Sequence, residues 1–175
     1  MVMHMILKEK SPPSQPSTDQ ILFVPGEGPE HLAFNAIFAL WNERRGTRRM
    51  PERKDIAPRD MVAYLPYIQL FEVIEDGKDF RIRILGTDFM KSLGYDATGQ
   101  CVSELADPVL RARTSAAVCR VVETRGPVRT TGTPMVKANI LYSKIEKILL
   151  PLGTGDEVTH ILCQADRINR LPAAG

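Results

Sequence analysis

Two strand-like segments meeting at Asp76-Gly77 constrain this chain more than any other feature. Residues 67–75 are mostly apolar or aromatic, and in 80–85 the residues Phe80, Ile82 and Ile84 alternate with Arg81 and Arg83. A period of two buries one face of a strand and wets the other. Asp-Gly between two such runs is a hairpin signal. A lone hairpin is marginal in water, so the rest of the chain has to supply more strands and a cover for the apolar face.

It supplies both. Gly86 breaks the second strand, and a short helix, Asp88–Leu93, stops at Gly94. Asp107-Pro108 opens a longer helix that ends near Arg125-Gly126, with Asp as the cap and Pro at the first turn. Leu110, Thr114, Ala117, Val118 and Val121 form its core stripe, and Arg113 and Arg120 are assigned to another face. Three strands follow at about 127–136, 140–150 and 157–166, the last two joined at Gly153-Thr154-Gly155-Asp156. Strands in runs with helices between them argue an α+β fold with an antiparallel sheet.

Ahead of the hairpin, a first helix is expected from Pro29 to Arg45, closed by Gly46. Leu32, Ala36, Ile37, Leu40 and Trp41 keep helical spacing, and Phe34 and Phe38 widen the apolar arc to about two thirds of the cylinder. Such a helix lies deep in its own fold or packs on a second molecule. Phe34, Ile37, Phe38 and Trp41 are therefore the candidates for a homodimer interface. A short helix is expected over Pro58–Leu65, ended by Pro66. Residues 8–19, rich in Pro, Ser and charge, read as a mobile tail, although Ile21-Leu22-Phe23-Val24 can pair as a strand. The resulting division is a tail over 1–25, an N-terminal helical segment over 26–66, a main domain over 67–170 and a C-terminal tail over 171–175.

The totals are those of an ordinary globular chain. A length of 175 residues gives one domain, and 43% hydrophobic with 25% charged residues gives it an adequate core. A net charge of +2 does not by itself call for nucleic acid or an anionic membrane. The three cysteines, Cys101, Cys119 and Cys163, are widely spaced and odd in number, which suits free thiols in a reducing cytoplasm. No signal peptide is expected, and no apolar run approaches the ~20 residues that span a bilayer.

The order of elements resembles the PAS fold, a five-stranded antiparallel sheet with helices on one face. Phe80 to Thr87, followed by a helix and Leu93-Gly94-Tyr95, is similar to the second strand and first helix of such domains. Gly94-Tyr95, then Gly99-Gln100-Cys101-Val102-Ser103-Glu104-Leu105, is similar to a common PAS run. Leu150-Pro151-Leu152, a turn and a strand ending Ala165-Asp166-Arg167-Ile168 resemble the last hairpin, with Arg167 interrupting the usual Asp-Ile. Trp41, Arg45-Gly46, Pro51, Arg53, Asp55, Pro58 and Leu65-Pro66 resemble a bacterial family of short single-domain PAS proteins.

The resemblance implies a sensory module with a small apolar cavity between sheet and helices. Ile82, Ile84, Leu93, Tyr95, Leu105, Val118 and Met135 are the candidate lining residues. Haem is disfavoured, because the long helix has no His and His160 alternates away from Ile161, Cys163 and Ala165, toward solvent. Flavin is disfavoured too: the reactive Cys of photosensory relatives falls at Val102, one position after Cys101. No cofactor is expected. The ligand class left is a small apolar, uncoloured molecule.

No nucleophile elbow, phosphate loop, dinucleotide fingerprint or metal-spaced cluster is present, and capping accounts for Asp107 beside Glu104. The chain is therefore read as a non-enzyme. The cations Arg44, Arg45, Arg48, Arg49, Arg53 and Lys54 have no interleaved aromatic residues for base stacking, so nucleic acid is an unlikely partner. The leading expectation is a signalling module that binds a small molecule or a signalling protein in trans. A ligand-free homodimeric adaptor comes next, and an unrecognised enzyme third.

Overall fold

The hairpin forms, with its turn one residue wider on either side than expected. The computed structural model describes residues 21–24, 34–132 and 142–170. In it β2 (Ile68–Ile74) pairs antiparallel with β3 (Asp79–Leu85), closing at Ile74 opposite Asp79. Glu75, Asp76 and Gly77 all have positive φ, the left-handed region that Asp and Gly tolerate best. The other strands are β1 (Ile21–Val24), β4 (Val128–Gly132), β5 (Tyr142–Thr154) and β6 (Glu157–Arg170). The helices are α1 (Asn35–Arg45), α2 (Thr87–Leu93) and α3 (Pro108–Thr124).

The sheet order is β1-β4-β5-β6-β2-β3, antiparallel throughout. Strands β2 to β6 are the expected five-stranded antiparallel sheet of an α+β fold. The run Ile21–Val24 lengthens it at the β4 edge, from Ile21 opposite Gly132 to Val24 opposite Arg129. Strands β5 and β6 run past their expected ends and turn at Gly155-Asp156, with Thr154 opposite Glu157. Pro151 does not stop β5, because β4 pairs only as far as Leu149 and leaves the strand without a β4 neighbour beyond it.

One irregularity decides which side chains meet. Between Leu70 and Phe71 the register shifts, so Leu70 faces Ile84 while Phe71 faces Ile82. The extra residue on β3 is a bulge, and it turns Ile84 to the face opposite Ile82. Simple alternation put both on the same face. Leu85, not Ile84, is buried at the end of the strand.

Both faces of the sheet are covered. Helices α2 and α3 lie over one. Asp107 caps α3 as expected, its Oδ1 accepting from the N–H groups of Val109 (2.8 Å) and Leu110 (3.1 Å). On the other face Ile148, Leu150 and Leu162 are fully buried, in one core cluster with Phe34, Ile37, Trp41, Met50 and Ile56. The Trp41 indole N–H donates to the Pro151 carbonyl at 2.8 Å, and the Gly153 N–H donates to the Pro51 carbonyl at 2.9 Å. The N-terminal segment thus docks on its own sheet. Phe34, Ile37 and Trp41, expected at a homodimer interface, are buried inside the chain, and Phe38 is half-buried and stacked on Trp41. The physical reason is that the sheet's second face is apolar as well and needs this cover.

The basic segment after α1 is largely paired within the chain. Arg44 lies 3.8 Å from Asp60, Arg48 2.8 Å from Asp55, Arg49 2.8 Å from Asp156 and Lys54 3.0 Å from Glu52. Arg53 donates to the Ile56 carbonyl, and Arg45 lies over the Trp41 ring. Surface pairs of this kind contribute little stability each, but they cancel much of the local field.

His160 was expected toward solvent and is instead half-buried, across the β2–β6 pair from Glu72. Its pKa lies below the ordinary 6.5, mainly because burial disfavours the imidazolium; Arg53 and Arg83 act the same way and Glu72 opposes them. The unfolded chain therefore takes up this proton at a higher pH than the folded one. The contribution is fully present above pH 6.5 and is lost as pH falls through the depressed folded value. His160→Gln is expected to flatten that part of the melting-temperature curve on acidification. Parallel curves for the two proteins would refute the assignment.

Candidate functional site

A cavity of about 540 Å³ lies between α2, α3 and the sheet. Its floor follows from strand register. Gln69, Cys163 and Leu149 lie side by side across β2, β6 and β5, and Ala165, Lys147 and Thr130 form the next row across β6, β5 and β4. Phe71 and Ile82 extend the floor toward β3. The roof comes from α2 through Phe89 and Leu93, and from α3 through Leu110, Arg113, Thr114, Ala117 and Val118. These α3 positions recur every three or four residues, the spacing that puts side chains on one helical face.

The walls are apolar with a few buried polar groups. Gln69, Arg113 and Thr114 are each 8% exposed, and Thr130 is 5% exposed. The Gln69 Oε1 has no hydrogen-bond partner among the described residues. Lys147 places its Nζ over the Phe89 ring, 5.7 Å from the centroid. Burial pushes the Cys163 thiol up to about 11, with the Lys147 charge opposing. Cys163 is therefore a neutral thiol at physiological pH and a poor nucleophile.

A family model for the PAS domain matches residues 30–163, more than half of the chain. The chain belongs to the PAS domain family. No curated protein and no solved structure matches it. PAS domains are generally non-catalytic sensory modules, and membership makes a sensory or signalling role the broad expectation for this one.

In this PAS domain five of the side chains expected to line the cavity do so: Ile82, Leu93, Tyr95, Leu105 and Val118. Ile84 does not, because the bulge in β3 turns it away. Met135 lies outside the described residues. Sequence reasoning missed the polar lining. Arg113 was assigned to another face on the strength of its charge, yet it stands three residues after Leu110 and four before Ala117, on the arc they share. Gln69 stands two residues before Phe71 and Lys147 two before Leu149, each pair on one face, and that period of two was the signal for them.

The arrangement can enclose a small molecule; among the described residues it offers neither a metal cluster nor a nucleophile–base pair. His160, the histidine within the described residues, lies on the opposite face of the sheet from Cys163. The cysteine on the cavity is Cys163 rather than Cys101, which bridges to Arg81 at the edge of β3. A second cleft, of about 330 Å³, lies beside Arg49 and Gly153, where the Arg49–Asp156 ion pair crosses it. No described helix is long and apolar enough to cross a membrane.

Proposed function

We propose that this PAS domain is a non-catalytic sensor that encloses a small, colourless molecule between sheet and helices and signals the occupancy to a protein partner. The observation that carries the reading is the cavity itself. Its size falls within the ~300–1,000 Å³ typical of small-molecule sites, and it combines apolar walls with a few fixed polar groups. Occupancy becomes a signal only through a difference in affinity between two arrangements of the domain. The helices α2 and α3, which form the roof, are the elements that such a ligand would bias.

A homodimer remains part of the proposal, but α1 offers it only Phe38 of the four residues first considered. A ligand-free adaptor is therefore the weaker alternative.

Native mass spectra of gently purified protein, set against the denatured mass, test the reading. The expected result is an excess mass per subunit, lost in Cys163→Phe, which puts a ring into the centre of the floor while keeping the side chain apolar. An apo wild type at twice the subunit mass, with no ligand recovered from cell extract, would favour the adaptor instead.

A further inference from the structure

We propose that the cavity takes a small organic acid with an apolar body: a carboxylate held by Lys147 and Arg113, and a hydroxyl or N–H at the far end donated to Gln69 Oε1. This rests on the sensor reading above and adds the chemical class of the ligand.

Three groups on the walls carry it. Lys147 projects from β5 into the cavity, and its contact among the described residues is the Phe89 ring, with no carboxylate in salt-bridge range. Arg113 brings a second cation from α3, only 8% exposed. Of the two carboxylates on the same cavity, Asp107 is exposed, accepts the N–H groups that cap α3 and sets its charge against Arg113, and Asp88 stands in the first turn of α2. Gln69 is the third group. It is more than nine-tenths buried and borders the cavity, and its Oε1, closed off from solvent, accepts nothing from the described residues, so a donor reaches it once the terminal amide turns toward the cavity.

A wholly apolar ligand would strip water from Lys147, leave Gln69 Oε1 without a donor and return nothing to either, and a buried polar group left unsatisfied opposes binding. A carboxylate against an ammonium is a charge-assisted contact, roughly twice as strong as a neutral hydrogen bond. The register sets the spacing of the two ends. Gln69 and Lys147 belong to β2 and β5 with β6 between them and lie one row apart, two strand spacings across and two residues along, about 12 Å at the backbone. The acid and the donor therefore belong at opposite ends of the ligand, with the apolar body over Cys163 and Leu149.

The test uses the whole chain, freed of any co-purified molecule by unfolding and refolding, and three fluorescent probes. These are a hydroxynaphthoate with hydroxyl and carboxylate at opposite ends of the ring, its neutral carboxamide, and the naphthoate lacking the hydroxyl. The hydroxynaphthoate is expected to bind one per subunit, at least tenfold tighter than either of the others. Lys147→Met should erase the preference for the acid over the amide, and Lys147→Arg should keep it. Gln69→Leu should erase the advantage of the hydroxyl. Circular dichroism confirms that each variant is folded, and Lys147→Arg guards against a loss that reports only misfolding. If acid and amide bind wild type equally, the acid class is wrong and the sensor cavity stands. If no probe binds at any concentration to its solubility limit, both the class and the cavity reading fall.

Discussion

Trp41→Ala is expected to cost about 3–5 kcal/mol, the range for deleting a buried aromatic side chain. Trp41 is 3% exposed, and its indole N–H satisfies the Pro151 carbonyl at the point where β5 has left β4. The substitution removes the ring from between α1 and the sheet and leaves that carbonyl without its donor. Trp41→Phe separates the two effects. It keeps an aromatic ring and loses the hydrogen bond and part of the indole's volume, so about 1–3 kcal/mol should go. Urea unfolding followed by far-ultraviolet circular dichroism measures both without relying on tryptophan fluorescence. A loss below about 1 kcal/mol for the alanine variant would mean that α1 is not part of the core.

Gly153→Ala should lose about 3 kcal/mol, as an added methyl that forces the backbone to move generally does. A Cβ at this position would overlap the Glu157 carbonyl oxygen and lie 3.1 Å from the Thr159 nitrogen, both backbone atoms with no rotamer to retreat into. The glycine marks the irregularity between Leu152 and Gly153 in the β5–β6 register, and its N–H donates to Pro51. Relief of the overlap therefore disturbs both the hairpin and the docking of the N-terminal segment. For a domain of this size the melting temperature should fall by roughly 6–12 °C. An unchanged melting temperature would show that the hairpin has a different register here.

Both changes act at the junction between the N-terminal segment and the sheet, and that junction separates what was legible from what was not. The hairpin at Asp76-Gly77, the cap at Asp107, the α3 stripe and the last two strands follow from local chemistry: turn preferences, capping and periodicity. These interactions join residues close in the chain, so a single sequence displays them. The apolar lining was legible for the same reason, since Ile82, Leu93 and Val118 are the inward residues of regular elements.

The polar lining was harder to read, because a charged residue on an apolar arc is assigned outward by default, as Arg113 was. Ile84 failed for a different reason. A bulge is a property of a strand pair, and neither β2 nor β3 announces it alone.

By itself, then, the sequence determined the kinds of elements, their order, the antiparallel α+β sheet and most of the apolar wall, because each depends on residues within a turn or two of one another. Only the tertiary structure decided the rest: that α1 covers its own sheet through Trp41 and Pro151, that the β3 bulge removes Ile84 from the cavity, and that Gln69, Arg113 and Lys147 share one space. Those outcomes depend on pairings between residues far apart in the chain, where strand register and the competition for buried surface, not local preference, choose the partner.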